Sequence, residues 1–154
     1  MTPATKTLDK AKITYKLHKY QHDANASAYG LEAAEKLNLP TEQVFKTLVA
    51  ELDSGALVVA IIPVDKKLSM KQLAKAAKVK KAVMATPDKV QRSTGYVLGG
   101  VSPIGQKKRL TTFIHASAET LERLYVSGGR RGLDIQLTPQ DLQTVTQGRF
   151  TQLV

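Results

Sequence analysis

The sequence predicts an α/β fold in which a mixed β-sheet curls into a barrel-like core with short helices packed outside it. Apolar residues make up 42% of the 154 residues and charged residues 23%, which is ordinary for a globular chain. Strand-like apolar runs outnumber long helical segments, and their order is not the regular alternation of strand and helix that builds a parallel sheet. The length suits one domain covering residues 1–154.

Caps and periodicity define the elements of the first half. Thr2 and Pro3 suit an N-cap and a first helical position. Apolar and polar residues alternate over 13–20, as in a strand with one buried face. The turn-forming Asp53-Ser54-Gly55 separates two apolar runs, which indicates a hairpin. The predicted elements are a helix at 2–12, a strand at 13–20, a helix at 31–37 and hairpin strands at 44–52 and 56–64.

The second half follows the same signals. Apolar residues at helical spacing predict a helix over 69–78. Thr86-Pro87-Asp88 opens another helix that Gly95 closes, and Thr138-Pro139 opens the last one. Short apolar runs indicate strands at 96–98, 110–114, 124–126, 133–137 and 150–154.

The charge balance narrows the class of partner. With 23 Lys and Arg against 13 Asp and Glu, the net charge is +10, which favours a polyanion such as nucleic acid; the alternative is that the excess serves solubility. The absence of cysteine excludes disulfides, thiolate zinc sites, iron–sulfur clusters and a protein thiol nucleophile. No apolar run approaches the roughly 18 residues that span a bilayer. We expect a soluble, cytoplasmic protein.

Two segments repeat one pattern: an apolar run led by an aromatic residue, a glycine pair, and basic residues. The pairs are Gly99-Gly100, followed by Lys107-Lys108-Arg109, and Gly128-Gly129, followed by Arg130-Arg131. Glycine lets a ligand approach the backbone, and successive amides can converge on an oxyanion or phosphate. The alternative is a pair of glycine turns with solvated basic tips; the duplication favours a binding function.

Lysines supply the remaining candidates. Residues 66–81 contain seven lysines and no acidic residue. Helical spacing places Lys71, Lys75 and Lys78 on one face of the predicted helix. That face is either a nucleic-acid-binding patch or an ordinary solvated surface. Lys46 stands between apolar neighbours in a strand, so it either extends from a sheet edge or enters a cleft to meet an anion. The three histidines lack metal-ligand spacing, so we predict no metal site.

The same segments resemble the YbaK family of bacterial Cys-tRNA(Pro) and Cys-tRNA deacylases, free-standing relatives of the editing domain inserted in bacterial prolyl-tRNA synthetases. The similarity covers essentially the whole chain. The pieces that carry it are His22-Asp23, Tyr29-Gly30-Leu31-Glu32-Ala33-Ala34, Phe45-Lys46-Thr47-Leu48, Ser93-Thr94-Gly95-Tyr96, the glycine–proline segment 99–109 and Tyr125-Val126-Ser127-Gly128-Gly129.

The resemblance implies a set of site residues. The family lysine, which matches Lys46, engages the 3′-terminal nucleotide and is needed for activity. The loop from Gly99 to Pro103 lines the aminoacyl pocket, with amides near the ester carbonyl. The predicted catalytic residues are Lys46, Gly100, Val101 and Asp134, and the substrate-binding residues are Tyr20, Gly99, Ser102, Pro103 and Ser127. The charge pattern, independently of the resemblance, predicts Lys71, Lys75, Lys107, Lys108 and Arg130 as tRNA-binding residues. No cofactor is expected.

The function implied is trans-editing: hydrolysis of mischarged aminoacyl-tRNA at the terminal adenosine, above all of Cys-tRNA(Pro) and Cys-tRNA. The cysteine-specific relatives use the thiol of the substrate itself, which suits a chain without an evident nucleophile. Three alternatives remain: a deacylase for another tRNA such as Ala-tRNA(Pro), a non-catalytic tRNA-binding module, and a protein whose main role is docking to prolyl-tRNA synthetase.

Overall fold

The computed structural model describes residues 1–26 and 28–154, and over these residues the chain forms five α-helices and eight strands. In chain order they are α1 Pro3–Lys10, β1 Lys16–Lys19, α2 Tyr29–Lys36, β2 Phe45–Leu52, β3 Leu57–Pro63, α3 Met70–Ala76, β4 Ala82–Met84, α4 Pro87–Thr94, β5 Thr111–His115, β6 Leu124–Arg130, β7 Leu133–Leu137, α5 Pro139–Thr146 and β8 Arg149–Thr151. Short 3₁₀ segments cover Thr41–Gln43 and Ala116–Thr120.

The described strands form two sheets. The larger has the order β4-β2-β3-β5-β8: β2 is antiparallel to β3 and β4, whereas β5 is parallel to β3 and β8. The smaller, β1-β7-β6, is antiparallel. The mixed α/β class is therefore confirmed. The barrel-like core is not, because the two sheets do not close into one; they meet at a bridge between Val44 and Tyr125.

Both faces of the five-stranded sheet are apolar, and a different layer of the fold covers each of them. Val59 and Ile61 of β3 pack in one cluster with Val126 and Ile135 of the smaller sheet. The alternate β3 residues, Ala60 and Ile62, pack instead with Leu73 of α3. A sheet buried on both faces needs a layer on each side, and the smaller sheet and α3 supply those layers.

The helix starts predicted at Thr2, Ser69, Thr86 and Thr138 are confirmed, whereas the helix predicted at 31–37 begins at Tyr29. The hydroxyls of Thr2, Ser69, Thr86 and Thr138 each accept a backbone N–H three residues on. Lys78 does not share the α3 face with Lys71 and Lys75, because α3 ends at Ala76 and Lys78 has a left-handed backbone with φ of 59°.

Residues 96–98 do not form the predicted strand. They lie in a turn between left-handed Gly95 and Gly99, anchored where the Tyr96 hydroxyl donates to the Ile104 carbonyl at 2.7 Å. Strand β4, conversely, was not predicted, because three residues after a lysine run give too short a pattern. Across residues 1–26 and 28–154, no helix is both long enough and apolar enough to cross a membrane.

Candidate active site

A cleft of about 400 Å³ opens where the two sheets meet. Its walls come from the end of β1, the start of α2, the first half of β2, the loop after α4 and the β6–β7 hairpin. Seven of the predicted site residues line it: Tyr20, Lys46, Gly99, Val101, Ser127, Arg130 and Asp134. Residues more than 100 positions apart in the chain therefore share one cavity whose size suits a small organic ligand.

Lys46 enters the cleft from a rigid element. It lies in β2 directly opposite Ile62 of β3, and its side chain is half-buried. Burial lowers the pKa of Lys46, and the nearby charge of Asp65 partly opposes that effect. Within the described residues Lys46 has no ion-pair partner. Lys46 is thus a cation on a rigid strand, and its ammonium is available to an anionic or strongly polar ligand.

Asp134 is the buried carboxyl of the cleft. It lies in the middle strand of the smaller sheet, opposite Ser127 of β6 and His18 of β1, and it is 5% exposed. Burial raises the pKa of Asp134 to about 7. A carboxyl with such a pKa exchanges its proton near neutral pH, as a general acid or base requires.

Tyr20 responds to the same surroundings. Its backbone N–H donates to the Gly132 carbonyl at 3.0 Å, which ties it to the β6–β7 hairpin. Burial raises the pKa of the Tyr20 hydroxyl, a hydrogen bond from the Gly132 backbone lowers it, and the charge of Asp134 raises it again. Tyr20 therefore presents a protonated hydroxyl to the cleft at neutral pH.

The glycine loop is built differently from the prediction at Gly100. The Gly100 N–H donates to the Val97 carbonyl at 3.0 Å, closing the turn. A Cβ at this position would lie 2.7 Å from the Arg130 Cα, so glycine is needed for close backbone packing. The Gly100 amide therefore does not fit the role of oxyanion donor. Val101 lines the cleft, and no acceptor for its amide occurs in residues 1–26 and 28–154.

The second half of the same loop lies behind the cleft wall. Ser102 is fully buried, and its hydroxyl accepts the Ile104 N–H at 3.3 Å. Pro103 lines a smaller cavity of about 170 Å³ together with Lys108 and Arg109. The direct substrate contacts predicted for Ser102 and Pro103 thus have no counterpart in the cleft wall, and both residues support the loop.

The predicted tRNA-binding residues occupy several surfaces. Arg130 lines the cleft, whereas Lys71 and Lys75 are exposed on α3. Lys107 and Lys108 are exposed on a turn whose two amides donate to α4 carbonyls, each at 2.9 Å. The structure brings only Arg130 of these five into the cleft wall over the residues it describes.

Tyr29 lies at the cleft mouth in contact with Arg131, and neither residue was among the predicted site residues. The Arg131 guanidinium lies 4.2 Å from the centre of the Tyr29 ring, so the pair forms a cation–π contact. Arg131 adjoins the predicted Arg130, and Tyr29 immediately precedes a glycine at a helix start. Nothing in the local sequence indicates that the two would meet across 102 positions.

Two of the three histidines, His18 and His115, make hydrogen bonds within the fold. His115 is buried, its Nδ1 accepts the Leu153 N–H at 3.2 Å, and burial lowers its pKa. His18 Nε2 lies 2.8 Å from the Gln136 side-chain oxygen. Among the described residues, no three His, Cys, Asp or Glu side chains are grouped so as to hold a metal ion.

Fold and cleft together define a small α/β protein in which a lysine and a carboxyl group with a pKa near neutral pH line one ligand cavity. The sequence model of the aminoacyl-tRNA editing domain matches residues 24–145. The chain is also 35% identical, over 99% of its length and 92% of the relative's, to EbsC of Enterococcus faecalis, whose name proposes a Cys-tRNA(Pro)/Cys-tRNA(Cys) deacylase. The chain therefore belongs to the aminoacyl-tRNA editing domain family.

Two further proteins extend the comparison. A proline–tRNA ligase of Trichlorobacter lovleyi is 28% identical over 70% of this chain, which corresponds to 20% of the ligase. The crystal structure of a protein described as a candidate trans-editing enzyme for prolyl-tRNA synthetase superposes with a TM-score of 0.82 and 21% identity, covering 99% of this chain and 98% of the other. At that identity the superposition supports the fold alone.

Proposed function

We propose that this chain is a trans-editing deacylase that removes cysteine from Cys-tRNA, above all from Cys-tRNA(Pro). Membership in the aminoacyl-tRNA editing family gives the reaction class, and the name of the relative from Enterococcus faecalis supports the choice of cysteine. The observation that carries the proposal is the meeting of Lys46 and Asp134, from different sheets, in one cleft.

Lys46 holds the terminal nucleotide in this proposal. The half-buried ammonium binds a phosphate or ribose oxygen of the 3′ end and so fixes the ester in the cleft. Positioning of this kind lowers the barrier because the reacting atoms are held in contact before reaction. Val101 lines the same cavity and its amide has no acceptor in the described residues, so we assign it as the backbone donor for the developing oxyanion in place of Gly100.

Asp134 takes the thiol proton. With a pKa of about 7, its carboxylate accepts the proton of the substrate cysteine as the sulfur attacks the adjacent carbonyl carbon. The carbon–sulfur bond forms, the bond to the ribose oxygen breaks, and the proton passes to that oxygen. The products are a cyclic thiolactone and tRNA with a free terminal hydroxyl; water then opens the thiolactone to cysteine.

The predicted tRNA-binding residues, which lie on several surfaces, serve the phosphates of the tRNA. Lys71, Lys75, Lys107, Lys108 and Arg130 meet phosphates and release counterions, which adds affinity without base specificity. A chain that recognises mainly the acceptor end gains tRNA identity from a partner, and the similarity to part of a proline–tRNA ligase makes prolyl-tRNA synthetase the partner we propose. The reaction then takes place in the cytoplasm, with the translation machinery.

Deacylation of four charged tRNAs by the purified chain tests the proposal. We expect rapid loss of cysteine from Cys-tRNA(Pro), slow loss from Ala-tRNA(Pro) and Ser-tRNA(Pro), and none from Pro-tRNA(Pro) above the uncatalysed rate. Preferential release of alanine would replace cysteine as the substrate. Binding without release from any of the four would make the chain a non-catalytic tRNA-binding module. Release that appears only with prolyl-tRNA synthetase present would make docking the main role.

A further inference from the structure

The aromatic ring of Tyr29 at the cleft mouth is held on one side. The Arg131 guanidinium carbon lies 4.2 Å from the ring centre, so the cation covers that face. Tyr29 also lines the cleft and remains 39% exposed. A stacking surface is therefore left open beside the cavity.

Arg131 is itself fixed by the surrounding chain. Its Nη2 donates to the Asp23 carbonyl at 2.8 Å and lies 3.8 Å from the carboxylate of buried Glu32. The other carboxylate oxygen of Glu32 accepts the Asp23 N–H at 2.6 Å, which closes a small network. The ring of Tyr29 consequently rests on a rigid support, so little entropy is lost when a ligand stacks on it.

The glycine loop reaches the same pair. A Cβ added to Gly99 would lie 3.1 Å from Arg131 Cδ and 3.2 Å from Tyr29 Cε2, and Gly99 has φ of +91°. Gly99 therefore lets the cleft loop touch the Tyr29–Arg131 pair directly. The stacked pair and the reaction site share a wall.

Exposed apolar side chains line the same cleft as Tyr29. Leu31 is 42% exposed and Leu98 is 56% exposed, and both line the cleft. Val97, next to Leu98, is also exposed. Of the eight large apolar residues found exposed in the described chain, three thus line this cleft, although the protein carries a net charge of +10. Apolar surface rimmed by basic residues suits a flat aromatic group that carries phosphates.

We propose that Tyr29, backed by Arg131, is the stacking platform for the 3′-terminal nucleobase of the bound RNA. The base lies against the open face of the ring, between Leu31 and Leu98, while its ribose ester enters the cleft toward Lys46. This inference rests on the proposed function, because it assigns the mouth of the same cleft. Tyr29 is a binding residue that touches the base, and Arg131 is a positioning residue that acts through the ring.

The probe is an RNA hairpin without an attached amino acid that ends in CCA, with 2-aminopurine as the terminal base. It is compared with the same hairpin ending in an abasic nucleotide. The chain contains no Trp, so 2-aminopurine emission is read without overlapping protein signal. For the wild-type protein we expect quenching on binding and an affinity about 5- to 150-fold higher for the hairpin that has its terminal base, since stacking of a base on an aromatic side chain has an effect of that size.

Substitutions locate the effect. Tyr29→Ala and Tyr29→Leu should bind both hairpins equally and should not quench, whereas Tyr29→Phe keeps the preference. Arg131→Ala should reduce the preference and the quenching while binding of the abasic hairpin changes little more than in Arg92→Ala, the control for loss of one exposed arginine. Val83→Ala, an exposed apolar residue of β4, is the control for lost apolar surface.

An unchanged preference in both Tyr29→Ala and Tyr29→Leu, with the unfolding temperature preserved, would overturn the platform. So would a wild-type protein that binds the two hairpins equally. Because the probe carries no amino acid, this measurement is independent of catalysis. A failure of deacylation with intact quenching therefore contradicts the proposed reaction, whereas deacylation without base preference contradicts the platform.

Discussion

Replacing Asp134 with Asn tests how the cleft maintains a titratable carboxyl. The side chain is 5% exposed, and burial raises its pKa from 3.8 to about 7. The folded protein therefore keeps the Asp134 proton up to about pH 7, while the unfolded chain releases it near pH 4. In between, the folded state binds more protons, so Asp134 makes the protein less stable as pH rises through this interval.

The size of the effect follows from the same two values. At about 1.4 kcal/mol per pH unit, the interval from 3.8 to about 7 corresponds to about 4 kcal/mol of lost stability once Asp134 is ionised. Asn is neutral throughout, so Asp134→Asn should unfold like wild type at pH 4 and be up to about 4 kcal/mol more stable above pH 7. Deacylation should nevertheless fall sharply, because Asn accepts no proton from the substrate thiol.

Urea unfolding between pH 4 and pH 8 measures this difference, with Asp53→Asn as the control because Asp53 is exposed in the β2–β3 turn. A substitution that raises stability while it lowers activity is characteristic of a residue retained for function. A difference between Asp134→Asn and wild type that does not grow with pH would refute the burial argument. Unchanged deacylation by Asp134→Asn would remove Asp134 from the reaction.

Three further results are expected. If the five predicted basic residues meet phosphates, tRNA affinity should fall about 100- to 500-fold between about 50 and 200 mM salt, measured by filter binding; a constant affinity would assign the charge to solubility. Cys-tRNA(Pro) should be deacylated much faster than Ser-tRNA(Pro), because a thiolate attacks far better than a hydroxyl, and equal rates would favour attack by water. Gly100→Ala should lower the free energy of unfolding by about 1–3 kcal/mol in a urea titration, because its Cβ would meet the Arg130 backbone at 2.7 Å; normal stability would contradict the packing role.

Local features of this chain were predictable because they depend on neighbouring residues. The helix starts at Thr2, Thr86 and Thr138 each follow from one hydroxyl and the proline after it, and the structure confirms them. The sheet arrangement depends on partners far apart in sequence. Strand β1 pairs with β7, opposing Leu17 to Ile135, and no local pattern specifies that contact or shows that the strands divide into two open sheets.

In the candidate site, too, features that depend on neighbouring residues were predictable and contacts between distant residues were not. Lys46 was recognisable as unusual because it is a charge within an apolar strand, but the residues alone left a sheet edge and a cleft as alternatives. The family resemblance favoured the cleft, and Lys46 lines it. The glycine pair correctly indicated close backbone approach, but at Gly100 the approaching group is the Arg130 backbone. Tyr29 and Arg131 form their contact only after the hairpin β6–β7 folds against α2, so sequence spacing could not reveal it.

Single-turnover deacylation of Cys-tRNA(Pro) by wild type and by Lys46→Ala tests the central claim most directly. Lys46→Ala should lose on the order of 100-fold in rate. Its free energy of unfolding should change by less than about 1 kcal/mol, because the half-buried stem contributes little packing. Lys46→Arg should recover part of the rate. The control Lys66→Ala, which removes an exposed lysine, should keep the wild-type rate. A folded Lys46→Ala protein with near-normal turnover would contradict the assignment of this cleft as the deacylation site.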